Sequence, residues 1–163
     1  MEQLIIILKE QITLCEQLLD LSKSQSQELV NGNAIKVKKI TNAISEKMKR
    51  LFLLDHRRQV VVEGIKQAHS INDPVSLVRL IESIESIDST VKVSLLDLIS
   101  ALGKVADELK AYIQQNKLLL AKAMQFIDFN INVITSTTAS DTYAPQGQEG
   151  CVTSKKKMFD QSI

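Results

Sequence analysis

The chain has 163 residues, a formal net charge of +1 and acids and bases mixed along its length, which amounts to one domain with a modest core. That balance excludes the basic field of a nucleic-acid binder. Two Pro, five Gly, no Trp and few aromatics, against abundant Leu, Ile, Val, Lys, Glu, Gln and Ser, point to long helices rather than a sandwich or barrel.

A first helix is expected from about Glu2 to Val30. Met1, Ile5, Leu8, Ile12, Cys15 and Leu19 alternate steps of four and three, and Leu29 resumes the stripe. The N-terminus carries no basic n-region or cleavage site, so no signal peptide is expected, and Leu4–Leu8 is far too short for a bilayer span. Asn31-Gly-Asn33 then breaks the chain, since Asn and Gly tolerate positive φ. A second helix follows from about Ala34 to His69, with Val37, Ile40, Ile44, Met48, Leu51, Leu54, Val61 and Ile65 as its inner stripe. Val60-Val61-Val62 suits a strand in isolation, but the helical pattern around it overrides local propensity.

Ser70-Ile-Asn-Asp-Pro74 is the second break. With Asp73 as cap and Pro74 at the first helical position, a short helix is expected from Pro74 to about Ile87. Asp88-Ser-Thr90 either interrupts it or lets it run into the next helix; the sequence leaves both open. The last long helix has the clearest pattern. Leu95, Leu98, Leu102, Val105, Leu109, Tyr112, Asn116, Leu119, Ala123, Phe126, Asn130 and Val133 form an a/d seam with two asparagines at a positions. Ile99, Ala106, Ile113, Leu120, Ile127 and Ile134 recur every seven residues and widen it. Beyond Lys117, Leu118, Met124, Phe129 and Ile131 add apolar area away from the seam.

The expected fold is therefore all-α: an elongated antiparallel bundle of three long helices plus one short helix. Residues 1–136 form the bundle domain and 137–163 a flexible, Ser/Thr-rich C-terminal tail. At about 1.5 Å per residue the second helix spans roughly 50 Å and the last roughly 70 Å. The far end of the last helix, from about Met124, should then overhang the Asn31–Asn33 turn. An end that is apolar on several sides needs a cover, and that is the functional lead. The 118–134 run carries Lys122, Asp128, Asn130 and Asn132, so no transmembrane segment is expected. Cys15 lies on the first stripe and Cys151 in the tail. A disulfide between them is open in principle, but both are read as free thiols in a reducing cytosol.

Signals for catalysis are weak. His56 and His69 have no metal-ligand spacing to a cysteine or carboxylate, and no phosphate loop or nucleophile elbow is present. Glu82 and Glu85 share a helix face without a second pair opposite. His56, followed by Arg57-Arg58, has the outline of a phosphotransfer histidine, a pattern that surface histidines beside bases share. No cofactor, metal, nucleic acid or small-molecule substrate is expected, and the chain is read as a non-enzyme.

The whole chain resembles the FlgN family of flagellar export chaperones. The resemblance rests on the opening Leu4-Ile-Ile-Ile-Leu8 helix, the Leu29-Val-Asn-Gly-Asn33 turn and the Asn116-Lys-Leu-Leu-Leu120 run with Phe126-Ile-Asp-Phe129. Thr142-Tyr-Ala-Pro-Gln-Gly147 and the closing Lys157-Met-Phe-Asp-Gln161 add to it. It implies a cytoplasmic bacterial chaperone, transiently at the export apparatus, that holds the C-terminal helices of the hook–filament junction proteins FlgK and FlgL. The family's substrate region matches Leu118, Leu120, Met124, Ile127, Phe129, Ile131 and Ile134 here. Its tail tyrosine, tied to docking on the export gate protein FlhA, matches Tyr143 with Gly147; this chain has Ala-Pro-Gln between them, with Cys151 and three lysines further on. The alternative is a structural or adaptor coiled-coil protein that homodimerises, even weakly, through the apolar end of the last helix.

Overall fold

The computed structural model describes residues 1–71 and 74–138, with side chains through 135. Four α-helices occur among them and no strand: α1 (Glu2–Val30), α2 (Ala34–Ala68), α3 (Leu77–Ser83) and α4 (Ser89–Thr138). The all-helical expectation and the ends of the first two helices hold. The chain divides into two compact units, Met1–Phe126 and Ile127–Ile163. Of the second, the last turns of α4 are described; most of the segment expected to be a tail lies outside the described residues.

In the first unit, α1, α2 and α4 run up, down and up. Gln25 meets Thr41 and Gln17 meets Lys47, so α1 and α2 are antiparallel. Leu4 and Leu8 share a cluster with Leu95, and Leu18 and Leu19 share another with Leu109, so α1 and α4 run parallel. The α1–α2 turn needs Gly32, whose φ of +67° lies in the left-handed region that a Cβ disfavours. Asn33 then caps α2, its side-chain oxygen accepting from the Lys36 N–H at 3.2 Å.

The core is unevenly shared. α1 buries Leu4, Ile7, Leu8, Leu14, Cys15, Leu18 and Leu19, together with Gln11 and Ser22. That is wider than the single stripe expected: α1 packs on two neighbours and buries more than one helical face, while Met1, Ile5, Ile12 and Leu29 are only half-buried. α2 buries no residue at all. Most of its expected inner stripe is half-buried and Met48 is exposed; Ile44, Leu51, Val61 and Ile65 pack against the edges of the two core clusters.

The short helix departs from expectation. Pro74 and Val75 precede it, and Ser76 caps it by accepting from the Arg79 N–H at 3.3 Å; Asp73 lies outside the described residues. The helix ends at Ile84, which is buried in extended backbone, so it does not reach Ile87. Leu80 and Ile81 are also buried, and Ile81 closes the Leu4–Leu8–Leu95 end of the core. The question left open at Asp88-Ser-Thr90 is resolved as a break. Asp88 accepts from the N–H and the hydroxyl of Thr90 and starts α4 as a new helix. Those hydrogen bonds from Thr90 hold the Asp88 carboxyl below its ordinary range.

Candidate functional site

The α4 seam is occupied as far as Asn116. Leu95, Leu109 and Asn116 are buried, with Leu98, Leu102, Val105 and Tyr112 half-buried between them. Asn116 fixes the register with α1. Its amide donates to the Ser22 carbonyl at 2.8 Å and to Gln25 Oε1 at 2.9 Å, and its oxygen accepts from the Ser26 hydroxyl. The second expected asparagine, Asn130, is half-buried. Lys23 and Glu108 pair at 3.0 Å one turn or two before, with the Lys23 ammonium over the Tyr112 ring.

The register shows where α1 runs out. Only Gln27 to Val30 follow Ser26 in α1. At about 1.5 Å per residue, α1 therefore ends about one turn beyond Asn116, near Leu120 on α4. Leu118, Leu120 and Met124 are exposed accordingly, while Leu119 and Ala123 are half-buried. In the second unit Ile127, Phe129, Ile131 and Ile134 are exposed as well. All seven residues expected to bind substrate lie on α4, each between 47% and 65% exposed.

Helical spacing sorts them. Leu120 and Met124 are four apart and share a face. Ile127, Ile131 and Ile134 stand at i, i+4 and i+7, again one face, and in the sequence the seven-residue step carries Leu120 to Ile127 to Ile134 and Met124 to Ile131. Leu118 is two residues from Leu120, and Phe129 two from Ile127, so each sits about 200° away around its helix. Leu120 and Met124 thus share a face in the first unit, and Ile127, Ile131 and Ile134 share one in the second; Leu118 and Phe129 stand off those faces. Two residues assigned to the inner seam, Phe126 and Val133, are instead exposed. Tyr143 and Gly147 lie outside the described residues.

By length and apolar composition α4 would suit a bilayer, with a window of mean hydropathy 1.2 that is 0% buried. Lys122 and Asp128 stand within the apolar run, and each is expensive to place in hydrocarbon. A protein groove covers one stripe and leaves such charges at its rim.

Near the middle of the bundle a polar cluster joins α1 to α2. Arg58 donates to Asp55 at 2.6 Å, Gln59 donates at 2.8 Å, and buried Gln11 also donates to that carboxylate. Burial alone would push the Asp55 carboxyl up; the hydrogen bond and charge of Arg58, with the two amides, outweigh it and hold it below the usual carboxylate range. Cys15 is buried and free of any disulfide, and burial, then the Glu16 charge, pushes its thiol up.

No curated protein and no solved structure matches the chain. A family model described as FlgN protein matches residues 1–150, which include every position expected to bind substrate or the gate. Matched over nearly its whole length, the chain belongs to the FlgN family of flagellar export chaperones.

Proposed function

We propose that the chain holds the C-terminal helices of the junction proteins FlgK and FlgL on the apolar end of α4, and passes them to the export gate protein FlhA. The observations that support this reading are the exposure of Leu120 and Met124 on one face in the first unit and of Ile127, Ile131 and Ile134 on one face in the second. An amphipathic substrate helix laid along such a stripe supplies it with an apolar partner face. If about 600 Å² of apolar area is covered, the gross gain at about 25 cal/mol/Å² is about 15 kcal/mol. Ordering the partner and losing its free motion cost several kcal/mol or more, which leaves a reversible affinity. Reversibility is what a carrier needs, because the substrate has to leave at the gate.

Leu118 and Phe129, on the other side of α4, widen the contact for a substrate that contributes more than one helix. Tyr143, with Gly147, is assigned the gate contact on the family resemblance. The chain acts without nucleotide, metal or catalytic step, in the bacterial cytoplasm and transiently at the export apparatus.

Co-purification tests the reading. The chain, mixed with purified FlgK or FlgL, should elute as a complex, and Ile127→Gln with Ile131→Gln should abolish it while circular dichroism stays helical. A complex unaffected by that pair of changes places the substrate elsewhere. Sedimentation separates the rival reading: a stable homodimer burying 118–134 leaves no surface for a substrate.

A further inference from the structure

A second apolar track lies on α1 and α2, remote in sequence from the α4 stripe and unrelated to the seam. It is a groove of about 810 Å³ lined only by residues of these two helices, with buried Leu14 and half-buried Leu54 at its base. His56 and Arg57 join it to a second hollow of about 330 Å³, where buried Ile7 meets Ile6 and Val60. Leu53 joins it in the other direction to a third, over Met48 and Phe52. Phe52, Leu53, Val60 and Ile6 are each more than half exposed. Large apolar side chains gathered along one concave track are uncommon on a monomer's surface unless something covers them.

The rim identifies the cover. Lys9, Lys49, Arg50 and Arg57 line the track against a single acid, Glu10. Among the described residues none of these four bases is in an ion pair. A second copy of the chain, docked by a two-fold axis, would set these bases against themselves. A flat anionic bilayer cannot enter the two hollows that lie between α1 and α2. From Ser45 to Val61 the track follows α2 for about 24 Å, the length of a helix of about sixteen residues. We propose that this groove docks one amphipathic α-helix of a partner protein, apolar along one side and acidic along both edges of that side. The proposal does not rest on which substrate occupies α4.

The test uses the full chain and a fluorescein-labelled designed peptide of sixteen residues, with Leu and Ile on one helical side and Glu flanking them. Fluorescence anisotropy should give saturable micromolar binding. Arg50→Glu with Arg57→Glu should weaken it about tenfold, the size expected for turning two exposed attractions into repulsions. The same variant should gain affinity for a matched peptide flanked by Lys, which a merely misfolded protein would not do. Leu53→Asp should weaken both peptides. Equal binding of the Glu and Lys peptides to the unaltered chain would overturn the proposal, as would no saturable binding of the Glu peptide below about 1 mM. Three other occupants would overturn it too: a dimer in sedimentation that Leu53→Asp dissolves, charge-dependent retention on phosphatidylserine vesicles lost in the same variant, or photo-crosslinks from position 53 to residues 139–163 of the same chain.

Discussion

The side-chain amide of Asn116 on α4 donates to the main-chain carbonyl of Ser22 on α1, 94 positions earlier, across 2.8 Å. With Gln25 and Ser26 completing its contacts, this buried amide has a partner for each donor and for its oxygen. It locks a parallel helix pair that apolar contacts alone would allow to slide. Asn116→Ala should cost about 1–3 kcal/mol, because it strands the Gln25 and Ser26 groups without a partner. Asn116→Leu should cost less, since an apolar group of similar size fills the site. Urea denaturation of the two variants checks the order; equal losses would mean the stranded polar groups, which both variants share, set the cost and the cavity adds little.

Asp55 predicts the acid limb of the stability curve. Its folded pKa lies below the unfolded value near 3.9, so its contribution is fully present above the unfolded pKa and is lost as pH falls through the folded one. Urea midpoints should therefore fall as pH drops from about 5 toward 3, and fall less steeply in Asp55→Asn. The variant also removes the charge that Arg58 faces at 2.6 Å, so it should be the weaker protein at pH 7. Parallel pH profiles for the two proteins would remove Asp55 from the account.

The α4 stripe makes a face-specific prediction. Changing Met124, Phe129 and Ile131 together to Gln should weaken junction-protein binding by several kcal/mol and leave melting nearly unchanged, since all three are exposed. Split apart, Met124→Gln with Ile131→Gln should carry most of that loss and Phe129→Gln the smaller share. Leu109→Ala is the control from the buried seam and should cost about 2–5 kcal/mol of stability through its cavity. Calorimetric titration and thermal melts on the same preparations decide it; a melted triple variant would make these residues core.

Holding and delivering should separate at Tyr143. A tyrosine ring buries apolar area and offers one hydrogen bond, a common anchor for transient docking. Tyr143→Ala should leave melting and junction-protein affinity unchanged, yet weaken binding to the export gate and slow secretion. Equal loss for substrate and gate would assign Tyr143 to the substrate site instead.

Much of this fold was legible because its punctuation is local. Asn31-Gly-Asn33 marks the first turn through backbone freedom that Gly32 alone supplies, and Asn33 caps the next helix. The α3 boundary was not legible, because Asp73 and Ser76 are both competent caps and their difference is within about 1 kcal/mol. Nor could the pattern say which helix is central. Ile7 and Leu14 lie off the α1 stripe drawn from the pattern and are buried, whereas Leu53 and Phe52 have the same chemistry on α2 and stay exposed. The exposed end of α4 was inferred from helix lengths, and the Asn116 register supports it. The division of its apolar residues into two faces follows from the 3.6-residue turn but was not drawn from the sequence.

The doubly packed position of α1 has a consequence for synthesis. Of the four helices α1 is made before the others, and the residues that cover its second side, from Leu95 to Asn116, follow about ninety positions later. At about 5–20 residues per second, α1 waits roughly 5–20 s before those residues exist, with Leu4, Leu8 and Leu18 uncovered on that side. A flagellar export chaperone thus passes through a stage in which its own first helix is the unshielded one.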